Sequence, residues 1–242
     1  MSLRLGFDID GVLANFRAAF REAAIRIVRG EVEDVDPGET PDSESSLSPE
    51  DVRRVWDYIA KTPNWWMEID AYEPEQIARL YNLTRTAGWE VFFMTKRPPS
   101  AGDSVQFQTQ WWIERFGFYL PSVLTVPGSR GDVANALRLD LLVDDQLINC
   151  VEVVSASPTK AILMQRAHDS AARDHATSRG IGVVSTMADA LGVIERLQGL
   201  IPEKRGRLMR LTDWFTPNAE KVTLPQNPRA VRPIPPIEDP RR

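Results

Sequence analysis

Short apolar runs alternate along this chain with longer stretches whose apolar positions recur every third or fourth residue. Residues 3–7 form the first run, ending at Asp8, and read as a buried strand. Residues 15–29 carry Phe16, Ala19, Phe20, Ala23 and Ile27 at helical spacing, which predicts an amphipathic helix. Residues 30–50 are acidic, rich in Pro, Gly and Ser and poor in apolar side chains, so they read as a mobile loop. Ser48, Pro49, Glu50 and Asp51 then start a second helix. Pro74 opens a third, running through Leu83 and ended by Gly88. Beyond it the rhythm predicts strands over 89–94, 123–126, 139–143, 161–164 and 182–184, and helices over 104–116, 132–137, 147–154 and 187–197. Residues 165–181 read as a polar stretch in which His168 and His175 are surface residues. From Pro217 onward the chain holds seven of its eighteen prolines and reads as extended and poorly packed.

Strands alternating with helices predict an α/β fold, a parallel sheet covered on both faces. The 242 residues suffice for one large α/β domain and a small accessory element. A net charge of −5 gives no global field that would attract nucleic acid. Cys150, the single cysteine, rules out an internal disulfide and a thiolate metal cage. No apolar run approaches the roughly 20 residues of a membrane helix. The early acidic residues do not suit a signal peptide, and a cytoplasmic location is expected.

Ligands of open parallel sheets bind beyond the carboxyl ends of the strands. The first strand ends in Asp8-Ile9-Asp10-Gly11 and the second in Thr95-Lys96-Arg97-Pro98. Gly128-Ser129-Arg130-Gly131 follows the third, and the fourth ends in Asp144-Asp145. Each piece alone has an ordinary structural explanation: a turn, a helix cap or a solvated charge. Their recurrence at successive strand ends is different. Two converging carboxylates repel by roughly 4 kcal/mol at 4 Å and an effective dielectric near 20. A fold tolerates that mainly where a cation binds.

The order of these pieces resembles the haloacid dehalogenase (HAD) superfamily. DIDGVLANF resembles its first motif, FFMTKRP its second, GSRGDVANAL its third and LLVDDQLINC its acidic fourth. Within that superfamily the pattern is most similar to the 5'(3')-deoxyribonucleotidase-like branch. The resemblance implies a Rossmann-like three-layer α/β/α sandwich with a small helical cap inserted after the first strand. Residues 1–14 and 73–200 would form the catalytic core, 15–72 the cap and 201–242 a Pro-rich extension.

It also implies a Mg²⁺-dependent phosphomonoester hydrolase. Asp8 would attack phosphorus and form an aspartyl-phosphate, while Asp10 protonates the leaving oxygen and later activates water. Thr95 would bind phosphate oxygens and Arg130 balance charge. Asp8, the Asp10 carbonyl and Asp145 would hold Mg²⁺, with Asp144 acting at one remove. Phe16, Trp65 and Trp66 would face the substrate, with Lys96 beside them, although the aromatics equally suit an ordinary cap core. The expected partner is a small phosphorylated substrate, with nucleoside monophosphates foremost. Sugar phosphates, a terminal nucleic-acid phosphate or an idle ligand-binding protein are the alternatives. Neither a membrane nor nucleic acid is expected as a partner, and a homodimer stays open. A signalling receiver domain fits poorly, because its acidic pair follows the first strand.

Two positions depart from the pattern. Arg130 stands where the superfamily more often has Lys, and Asn15 replaces the usual Asp. Neither removes a catalytic group.

Overall fold

A computed structural model of the chain describes residues 2–28, 47–167 and 169–199. His168, most of the acidic loop and the extension from 201 onward lie outside the described residues. Among the described residues six strands, β1 (Arg4–Asp8), β2 (Glu90–Thr95), β3 (Ser122–Thr125), β4 (Leu141–Asp144), β5 (Lys160–Met164) and β6 (Gly182–Val184), make one sheet. All pairings are parallel and the order is β3-β2-β1-β4-β5-β6. The chain winds outward from β1 to one edge, then returns to β4 and winds to the other. The direction of winding therefore reverses between β1 and β4, and a crevice opens there at the carboxyl ends.

The described residues form eight helices: α1 (Phe16–Val28), α2 (Pro49–Lys61), α3 (Pro74–Ala87), α4 (Val105–Arg115), α5 (Arg130–Leu137), α6 (Leu147–Ala156), α7 (Ser170–Ser178) and α8 (Met187–Leu197). The period-two rule of a strand sorts its side chains between two cores. Leu5, Phe7, Val91, Phe93, Leu141, Val143, Ile162 and Met164 join one core with Ile77, Leu80, Trp112 and Leu191 of α3, α4 and α8. Met94, Leu142, Ala161 and Leu163 join the other with Ala134, Cys150, Val153 and Ala176 of α5, α6 and α7. The result is the three-layer Rossmann-like α/β/α fold.

Helix starts follow their caps. Ser48 accepts from the Asp51 N–H with Pro49 in the first turn. Asn15 accepts from the Ala18 N–H, which puts the start of α1 at Phe16, one residue past the expected start. The polar stretch after β5 contains α7, which the periodicity did not reveal; Asp169 caps it and only Ala176 is buried. His175 is exposed on this helix, bonded to Arg179.

The segment between β1 and α3 leaves and returns through one narrow point. Ala14 bridges Ala71, Asn15 N–H donates to the Asp70 carbonyl (2.8 Å) and Tyr72 N–H to the Leu13 carbonyl (2.9 Å). Its far end is tied down as well. A 3-10 turn at Trp65–Met67 follows α2 and packs on α4. Asn64 N–H donates to the Ala101 carbonyl (2.7 Å), and the Trp66 indole N–H to the Pro98 carbonyl (3.0 Å). No helix among the described residues is long and apolar enough to cross a membrane.

Candidate active site

Strand alternation that builds the two cores also sorts the polar groups at the crevice. Asp8 and Asp144 continue the parity of Met94 and Leu142, so they turn toward the α5 side. Thr95 continues the parity of Phe93, so it turns toward the α4 side. Two clusters result, one on each side of β1.

In the first cluster, Arg130 opens α5, whose cap Ser129 accepts from the Gly131 N–H. Its guanidinium is 1% exposed and donates to Asp8 Oδ1 at 2.5 Å, with Nε 3.5 Å from Asp144 Oδ2. Asp144 accepts from the Gln146 N–H (2.8 Å) and the Asn149 side-chain amide (3.0 and 3.1 Å). Buried Arg130 Nη1 has no hydrogen-bond partner. Such an orphaned donor costs free energy unless a ligand oxygen meets it.

The second cluster contains a residue absent from the sequence-derived site. Arg97 grips Asp10 with two nitrogens, Nε at 3.1 and 2.9 Å and Nη2 at 2.8 Å. Thr95 Oγ1 also donates to Asp10 Oδ2 (3.2 Å) and accepts from the Arg97 N–H (3.2 Å). Arg97 is buried against the faces of Trp66 and Trp112, 4.8 and 5.8 Å from the ring centroids. A signal existed: position 97 repeats the parity of Thr95 in TKRP. What hid it is that a guanidinium is ordinarily read as solvated until its partners are known.

Asp145 sits opposite the Gly11 turn. Gly11 has φ +84°, and a Cβ there would lie 2.1 Å from Asp145 Oδ2. Arg166, also absent from the sequence reading, fixes that turn by donating to the Gly11 (3.1 Å) and Val12 (2.6 Å) carbonyls, pairs with Glu73 (2.9 Å) and lies over the Tyr72 ring.

A cavity of about 1180 Å³ opens on both clusters. Asp8, Asp10, Asp145, Lys96, Arg97, Arg130, Phe16 and Trp66 line it. Thr95, Asp144 and Trp65 do not; Thr95 reaches it only through Asp10 and Arg97, and Asp144 through Arg130. Trp65 is 8% and Trp66 1% exposed, so neither offers a free ring face. Phe16 is stacked on Trp56 (centroids 5.8 Å, 22°), and both line the cavity. Phe16 is also stacked on Trp66 (centroids 6.0 Å, 25°).

The electrostatics are lopsided. Burial, then Asp144, holds the Asp8 carboxyl well above the usual carboxylate range, against the pull of Arg130. Burial likewise raises Asp144, opposed by its bonds to Asn149 and Gln146. Asp145 is pushed up to about 7 by burial and by Asp144. Were all four carboxyls ionised, the two buried guanidiniums would leave two negative charges, which would repel a phosphate dianion. Among the described residues no three acidic, histidine or cysteine side chains form a ready cation cage. Arg97, Arg130 and Asn149 already occupy three of the acids. Mg²⁺ needs no such cage: it binds through one or two carboxylates, waters and substrate phosphate. Asp8, whose bond to Arg130 uses Oδ1, and Asp145 are hard oxygen donors at the cavity wall and fit that requirement.

No protein-family model matches this sequence, and no curated protein matches it. Solved structures do. A HAD family hydrolase from Deinococcus radiodurans, with bound phosphate and sodium, aligns at TM-score 0.56 and 12% identity over 84% of this chain and 99% of its own. A predicted phosphatase from Clostridium acetobutylicum aligns at 0.54 and 14% identity, over 81% and 99%. A haloacid dehalogenase-like family hydrolase from Streptococcus pneumoniae aligns at 0.51 and 13%, over 80% and 98%. The chain has the fold of HAD-like hydrolases along nearly their whole length.

Proposed function

We propose that this protein is a Mg²⁺-dependent phosphomonoester hydrolase working through an aspartyl-phosphate on Asp8, with nucleoside monophosphates as substrates. The observation that carries the reading is Asp8 itself. It stands at the end of the central strand, lines the cavity, and is paired with an arginine whose remaining buried Nη1 lacks a partner. A phosphate oxygen beside Asp8 would supply that partner.

In this reading an Asp8 oxygen bonds to phosphorus while the phosphorus–leaving-oxygen bond breaks. The electron pair goes to the leaving oxygen, which takes a proton from Asp10. Asp10 then accepts a proton from water as that water attacks phosphorus and the electron pair returns to Asp8. Arg130 offsets charge on Asp8 and the phosphate. Asp8, Asp145 and the Asp10 backbone carbonyl would hold the cation, and Asp144 orients Arg130. A Mg²⁺ ion held by these residues would supply positive charge against the clustered carboxylates and Lewis-acid polarisation of the phosphate.

The nucleotide preference is supported by the size of the cavity and by Phe16 and Trp56 on its wall. Base–aromatic stacking contributes roughly 1–3 kcal/mol. Residues 15–72 serve as a cap in this reading. The test is turnover of para-nitrophenyl phosphate with and without Mg²⁺, followed by a screen of nucleoside monophosphates against sugar phosphates. Asp8→Asn should lose about 10⁴-fold or more, because a covalent nucleophile has no local substitute. Activity within tenfold of wild type would remove the mechanism.

A further inference from the structure

Asp10 lies two residues beyond the end of β1, with its side chain partly open to the cavity. General acid catalysis requires a carboxyl within about 2.6–3.2 Å of the atom it protonates. Something must therefore hold it in one orientation. Among the described residues Thr95 contributes one bond (3.2 Å), and the other bonds to its carboxylate come from Arg97.

We infer that Arg97 is the positioning residue of Asp10: a guanidinium packed against two indoles that fixes the plane of the acid–base carboxylate. The inference rests on the phosphatase reading above. Three features support it. The Nε–Nη2 edge meets both Asp10 oxygens, so the planar fork sets the plane of the carboxylate as well as its distance. Nη1 is spent on Thr109 Oγ1 (3.2 Å), which stops rotation about the guanidinium axis. The indoles are themselves pinned. Trp66 Nε1 donates to the Pro98 carbonyl at 3.0 Å, and Trp112 Nε1 to the Ile69 carbonyl at 2.5 Å. The chain of constraint thus runs from the segment before α3, through Trp66 and Arg97, to the carboxylate. Arg97 touches Asp10 rather than the reacting atoms, so it acts through Asp10.

The test separates positioning from plain support of the fold. An alkyl phosphate has a poor leaving group and needs Asp10 to protonate it; para-nitrophenolate leaves without that help. Arg97→Lys keeps the charge and an apolar stem against the indoles but loses the fork. First-turnover rates are measured on both substrates with the same protein, so any loss of folded enzyme cancels in the ratio. Expected is a fall of about 10²-fold on the alkyl phosphate, the usual cost of misplacing a group by an ångström. On para-nitrophenyl phosphate the fall stays under about tenfold, and KM for both substrates is unchanged. In an Asp10→Asn background, Arg97→Lys should add nothing further. Equal losses on the two substrates, no loss on either, or full additivity with Asp10→Asn would overturn the inference. A wild-type protein that turns over neither substrate overturns the phosphatase reading itself, and this inference with it.

Discussion

Replacing Gly11 by Ala perturbs the site through two separable effects. The first is backbone strain. Gly11 has φ +84°, and an L-residue in that region costs roughly 1–2 kcal/mol. The second is a collision. The new methyl would lie 2.1 Å from Asp145 Oδ2, 2.4 Å from its Cγ and 3.0 Å from its Cβ, so the whole Asp145 side chain must swing aside. Gly88 isolates the first effect, since it has φ +70° and a Cβ there meets nothing within 4 Å. Gly11→Ala and Gly88→Ala should therefore both lower the stability read from urea unfolding by about 1–2 kcal/mol. Only Gly11→Ala should raise the Mg²⁺ concentration that half-saturates turnover, by at least about tenfold, as disturbed metal ligands do. The assay is a Mg²⁺ titration of para-nitrophenyl phosphate hydrolysis for both variants. Should Gly11→Ala match Gly88→Ala in Mg²⁺ dependence and turnover, Asp145 plays no part in holding the cation.

The raised Asp145 carboxyl predicts an inverted pH response. Between about pH 4 and its value of about 7 the folded protein holds a proton that the unfolded chain has lost, so this group's contribution falls as pH rises. At 1.36 kcal/mol per unit the fall is no more than about 4 kcal/mol. In chelator, Asp145→Asn should gain melting temperature relative to wild type at pH 7.5 but not at pH 4.5, and an equal difference at both would contradict the assignment. Phe16→Ala should raise KM for a nucleoside monophosphate several-fold while sparing a small phosphate without a base; equal losses would remove the stacking role. Trp66→Ala should instead destabilise the fold by about 3–5 kcal/mol, the cost of emptying a fully buried indole site, and a variant that melts like wild type would contradict its burial.

Periodicity alone settled the layered α/β architecture, because strand and helix rhythms are local properties of side-chain order. The β1, β2 and β4 ends were legible for the same reason: each apolar run stops at Asp8, Thr95 or Asp144. Helix α7 was not legible, since it buries only Ala176 and shows no stripe. The order β3-β2-β1-β4-β5-β6 was not legible either, because pairing is decided by contacts between residues distant in sequence. The same holds for partners within the site. Nothing near Arg97 in the sequence says that it will turn inward and grip Asp10, 87 residues earlier. Its burial depends on Trp66 and Trp112, brought together by the fold from either side of it. Apart from the family resemblance, which favoured Asp145 as the direct metal ligand, nothing in the sequence separates Asp144 from Asp145. Adjacent carboxylates look alike until strand parity turns one toward Arg130 and leaves the other facing the cavity. Local order thus fixed which chemistries were present at the strand ends, and tertiary packing decided which charges meet and which stay free for a ligand.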